Sequence, residues 1–141
     1  LPDGARGTSY GLMGGMIRLP VLGHDILLYS NIDTNAGTLP SKVGGSIAAG
    51  REKSTVWASF DGGRTWPVKR LIYDGPSAYS NLGVGRTGTP SQGKIYLIFE
   101  GGPKGSHAAV QLVSFNLAWL LNGRNIQDLL PKPAAKSVQV K

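Results

Sequence analysis

Apolar positions in this chain cluster in runs of four to eight residues, separated by turns rich in Gly, Pro, Asn and Asp. That length and that punctuation predict short β-strands joined by tight turns, not helices. The first run covers residues 13–19 and stops at Pro20, and the second, DILLYS, covers 25–30 across a turn at Leu22-Gly23-His24. Residues 31–50 form a long polar, Gly-rich loop, and loops of that length in compact domains are often functional. Strands follow at 54–60 (STVWASF) and 68–73 (VKRLIY), separated by Asp61-Gly62-Gly63-Arg64. The order then restarts with strands at 79–85, 94–100 and 109–116. Residues 117–122 (LAWLLN) predict one or two helical turns stopped by Gly123, and residues 128–141, with Pro131 and Pro133, an exposed tail.

Four strands followed by three more of like length suggest radial repetition in a β-propeller, whose blades are four-stranded antiparallel sheets. The expected fold is all-β: about one complete four-stranded blade, most of a second, and a short C-terminal helical turn. A propeller closes with at least about four blades, so the chain is expected to be part of something larger. Alone it would leave unpaired strand edges. The abrupt start at Leu1-Pro2-Asp3-Gly4, without Met or a charged leader, carries no targeting signal and fits the same expectation of further protein upstream.

Composition narrows the function. The 141 residues carry a formal charge of +7, but Lys and Arg are scattered from Arg6 to Lys141 with no run and no aromatic interleaving. Nucleic-acid binding is therefore not expected, while a diffuse positive field weakly favours an anionic ligand. No apolar stretch reaches the length of a membrane span. The absence of cysteine removes disulfides and thiol chemistry. His24 and His107 have no ligand-like spacing, so both are expected to be polar loop residues and no metal is expected.

The most specific local pattern is Ser59-Phe60-Asp61-Gly62-Gly63-Arg64-Thr65-Trp66, which fits S-x-D-x-G-x-x-W. Asp61 can accept backbone N–H bonds across a hairpin turn, Gly63 permits a positive φ, and Trp66 can fold back over the turn. This resembles the Asp-box of sialidases and of other propellers with the same repeat; Ser59, Asp61, Gly63 and Trp66 are expected to be structural. Around it, the order Leu27-Leu28-Tyr29-Ser30-Asn31, Arg51, the box, Ser77-Ala78-Tyr79-Ser80-Asn81-Leu82 and Ile95-Tyr96-Leu97-Ile98-Phe99-Glu100 is similar to the C-terminal part of the sialidase (neuraminidase) catalytic domain. Phe115 to Leu120 is similar to the family's closing segment.

The resemblance implies a six-bladed propeller, with residues 1–123 as its C-terminal portion and 124–141 as a tail. It implies an exo-sialidase that removes terminal sialic acids from glycoconjugates with retention, without a cofactor. Tyr79 takes the place of the nucleophile, in a family that departs from the two-carboxylate scheme of most glycosidases. Arg51 takes the place of one arginine of a carboxylate-binding triad; Arg18 and Arg86 lack the matching position before the box. Glu100 takes the place of the carboxylate that orients another triad arginine, although its distance from Tyr79 is longer than the family pattern. The acid/base aspartate, the glutamate that activates the tyrosine and the other two arginines would lie upstream of Leu1, and Asp33 matches none of them. The implied partners are a sialylated glycan and the N-terminal remainder of the propeller, and the segment alone is expected to be inactive. A secreted or periplasmic location rests on the resemblance only. Two alternatives are a non-catalytic Asp-box propeller that binds glycan or protein, and a basic adhesion module for acidic polymers, which steep salt dependence would reveal.

Overall fold

The computed structural model describes residues 12–33 and 50–131. Six strands follow one another in the order β1 (Gly15–Arg18), β2 (Leu27–Ile32), β3 (Glu52–Ser59), β4 (Val68–Val84), β5 (Lys94–Gly101) and β6 (Val110–Asn116). Each pairs antiparallel with the next. The architecture is that of a partial propeller. No helix among the described residues is long and apolar enough to cross a membrane.

Where seven strands were expected there are six, because the fourth and fifth are one. β4 runs for 17 residues through Asp74-Gly75-Pro76, the turn-like stretch that breaks the hydrophobic pattern. Its first part, Val68 to Tyr73, pairs with β3, and its second, Ser77 to Val84, pairs with β5. One continuous strand thus closes a four-stranded blade and opens the next. Pro76 is tolerated because it sits at the end of the β3 ladder, opposite Glu52, beside register shifts. Asn31 and Ile32, expected in the loop, extend β2; the rest of that loop, residues 34–49, lies outside the described residues, as do 132–141.

The blades pack through one core. Leu28, Val56 and Ala58 of the first blade, and Leu82, Ile95, Leu97 and Phe99 of the second, are buried in a single cluster. Gly15 marks a close approach, since a Cβ there would lie 2.6 Å from the backbone nitrogen of Leu82. Beside it the Ser30 and Ser80 hydroxyls meet at 2.9 Å, so the polar groups buried at this seam satisfy each other. A one-turn helix α1 (Leu117–Leu121) is capped by Asn116, whose side chain accepts from Trp119 N–H. Residues 124–131, expected as part of the tail, lie against the core: Ile126, Leu129 and Leu130 pack on it, and Arg124 Nη1 donates to Pro67 O at 2.7 Å.

Candidate active site

Two irregularities in the ladders shape one end of the blades. Between the pairs Ser77↔Gly101 and Ser80↔Phe99, Ala78 and Tyr79 stand opposite the single residue Glu100. This is the count of a β-bulge, which re-aims side chains locally. Ala78 drops into a small cluster with Leu12 and Ile32, and the half-buried Tyr79 packs on the same cluster. The second irregularity lies where the chain enters β3. Lys53 has φ 63, an uncommon left-handed conformation for a residue other than glycine, and the register shifts on either side of Ser54. Just before it, the Arg51 carbonyl accepts from Ser77 N–H at 2.9 Å, which ties Arg51 to β4 two residues ahead of Tyr79.

Arg51, Tyr79 and Glu100 therefore meet. The Arg51 guanidinium carbon lies 5.4 Å from the centre of the Tyr79 ring, within cation–π range. Arg51 is only 4% exposed, and Nη1 lies 3.0 Å from His107 Nε2. The same His107 nitrogen lies 3.6 Å from Glu100 Oε2, and the His107 ring stands edge-on to Tyr79 at 6.4 Å. Tyr79 and Glu100 also line a cleft of about 260 Å³, together with Met13 and Val110. A second cleft at the far end of the blades, lined by Leu19, Val84, Ile95 and Leu117, is apolar apart from Lys94, Gln92 and Thr87, and lacks convergent charge.

Buried polar atoms are normally paired. Among the described residues, the buried side-chain atoms without a hydrogen-bond partner are Arg51 Nε, Ser54 Oγ, Ser77 Oγ and Glu100 Oε2. All four lie at the end of the blades that carries Tyr79. An arginine donor and a carboxylate acceptor, both on residues beside Tyr79, are thus left unpaired among the described residues. No cluster of three or more His, Cys, Asp or Glu side chains is present among the described residues to cage a metal.

Known proteins share this arrangement of strands. Over 92 residues the chain is 33% identical to a sialidase of Micromonospora viridifaciens, a match that covers 62% of this chain and 13% of that protein. The solved structure of Hadza microbial sialidase Hz136 aligns at TM-score 0.54 and 29% identity, over 77% of this chain and 18% of that one. These likenesses support a fragment of the sialidase family. No family model matches it. The chain spans under a fifth of the length of either relative.

In this chain the box residues are not part of the Tyr79 constellation. They form the β3–β4 hairpin at the opposite end of β3, about 26 Å away for eight residues at about 3.3 Å each. Asp61 Oδ1 accepts from Thr65 N–H at 2.9 Å and from the Ser59 hydroxyl at 2.8 Å, and Oδ2 accepts from the Thr65 hydroxyl at 2.7 Å. These bonds, led by Thr65 N–H, lower the Asp61 pKa from 3.8 to about 2. Gly62 and Gly63 take φ 71 and 93, and Trp66 Nε1 donates to Gly63 O at 3.1 Å while its ring meets Tyr29 edge-on. Arg18 is likewise remote, paired with Asp25 at 2.7 Å. Asp33 pairs with Lys69 rather than with any group of the Tyr79 site.

His107 was expected to be a plain polar loop residue, and it contacts Arg51, Glu100 and Tyr79. It lies 56 residues from Arg51 in sequence, in the β5–β6 loop. No motif marks it; the only signal was that its loop follows Glu100 on an adjoining strand.

Proposed function

We propose that this chain supplies part of the active site of an exo-sialidase, with Tyr79 as nucleophile and Arg51 as one clamp on the substrate carboxylate. The observation that carries this is the contact of a buried, incompletely paired arginine with a half-buried tyrosine at the mouth of a cleft. The anomeric carbon of a sialoside bears a carboxylate. An anionic Asp or Glu nucleophile would be repelled on approach to it, whereas a neutral phenol is not. A phenol has an ordinary pKa near 10 and needs a base to take its proton.

In the first step the Tyr79 oxygen bonds to the anomeric carbon as the glycosidic bond breaks through an oxocarbenium-like transition state. The phenolic proton goes to a carboxylate base, and an acid protonates the departing oxygen. In the second step the deprotonated acid takes a proton from water as its oxygen displaces Tyr79 from the opposite side, and the carboxylate base returns its proton to the phenolic oxygen, which restores the original configuration. Arg51 holds the carboxylate with charge-assisted hydrogen bonds throughout. Glu100, whose Oε2 is buried without a hydrogen bond, is suited to hold a second arginine. Among the described residues no carboxylate hydrogen-bonds the Tyr79 hydroxyl, and we assign the base to the remainder of the propeller. The segment by itself is inactive on this account.

The test is hydrolysis of a fluorogenic sialoside by the full-length protein containing this chain, beside its Tyr79→Phe variant. Turnover lost in the variant supports the proposal. A folded parent that binds the sialoside without turning it over would point to a binding propeller.

A further inference from the structure

His107 has no part in the proposed chemistry, yet its ring touches every member of the site. Nε2 lies 3.0 Å from Arg51 Nη1, and Nδ1 lies 3.1 Å from the hydroxyl of the buried Ser106. A guanidinium only donates hydrogen bonds. Nε2 must therefore be the acceptor, which requires a neutral ring with its proton on Nδ1, donated to Ser106 Oγ. The bond occupies Nη1 of Arg51 and leaves Nε, which has no partner among the described residues.

We propose that His107 is a positioning residue for the carboxylate clamp, its neutral ring holding the Arg51 guanidinium beside Tyr79 with the remaining donors presented to an anionic ligand. The identity of that ligand as a sialoside rests on the proposed function; the contact itself does not. Among the described residues, the charged and titratable groups facing the ring are Arg51 at the entry to β3, Tyr79 on β4 and Glu100 on β5. A second proton on the ring removes the acceptor. The imidazolium must then leave Arg51, and Glu100 Oε2, at 3.6 Å and without a hydrogen bond, becomes its partner. The clamp is thus held by one protonation state of His107 and released by the other.

The experiment is nitrogen NMR on the full-length protein, selectively labelled at histidine and arginine. Spectra of His107→Gln and Arg51→Lys pick out the two side chains. The expected result at neutral pH is a His107 ring protonated at Nδ1. As acid is added, the Arg51 side-chain N–H signals move in step with protonation of that ring. In His107→Gln they stay fixed, because the glutamine oxygen accepts at every pH. A ring protonated at Nε2 at neutral pH, or Arg51 signals indifferent to His107, overturns the proposal. A second readout is kinetic: His107→Ala raises KM for the sialoside about three- to tenfold with kcat within about twofold, and His107→Gln restores most of the loss. Equal KM values in all three overturn it as well. If the protein shows no sialoside turnover, the proposed function fails while the NMR result still decides the contact.

Discussion

The guanidinium carbon of Arg51 lies 5.4 Å from the centre of the Tyr79 ring, although 28 residues separate the two in sequence. The contact depends on the hydrogen bond from Ser77 N–H to the Arg51 carbonyl and on the bulge that sets Tyr79 opposite Glu100. Lysine at position 51 would keep the charge and lose the planar fork. Hydrogen bonds to charged groups are worth about 1.5–3 kcal/mol, so Arg51→Lys should lower kcat/KM for a sialoside by roughly ten- to a hundredfold. Steady-state kinetics should show most of the loss in KM. An unchanged KM would remove Arg51 from the clamp.

Tyr79→Phe keeps the ring that packs on Arg51, His107 and the Leu12–Ile32–Ala78 cluster and deletes only the hydroxyl. The fold, followed by near-UV circular dichroism, should be unchanged. Turnover should fall about a thousandfold or more, the scale expected when a nucleophile is removed.

Asp61 makes a stability prediction with a defined pH window. Its pKa is lowered from 3.8 to about 2 by the Thr65 and Ser59 hydrogen bonds. The ionised carboxylate therefore contributes fully above about pH 3.8 and its contribution is lost as pH falls through about 2. Asp61→Asn should lower the melting temperature by a few degrees at neutral pH. It should also flatten the loss of stability between those two pH values, as acid titrations followed by circular dichroism would show. Activity should change little, because the hairpin lies about a strand's length from Tyr79.

Leu97 is fully buried at the contact between the blades, whereas Leu22 is 99% exposed. Leu97→Ala should cost about 2–5 kcal/mol in chemical denaturation, the usual cost of a core cavity. Leu22→Ala should stay within about 0.5 kcal/mol of the parent.

The strands were legible because alternation and turn residues are local signals. The single long β4 was not, since Gly75 and Pro76 read as a break and only pairing with β3 and β5 carries the strand through them. Arg51, Tyr79 and Glu100 could be singled out as candidates by their order along the chain. Their meeting could not, because it depends on a bulge and on the left-handed Lys53, which leave no periodic trace. The contacts of His107 were invisible for the same reason: its partners are distant in sequence, and a lone histidine in a polar loop carries no pattern.

The most direct test of the central claim is to trap the glycosyl–enzyme intermediate. The full-length protein would be treated with a sialosyl fluoride carrying a second fluorine beside the anomeric carbon, which slows the second step, and then digested and sequenced by mass spectrometry. The account predicts one added sugar on the peptide containing Tyr79, with the modification on Tyr79 itself and none in Tyr79→Phe. A protein that turns over sialosides while the label lands on another residue would contradict it.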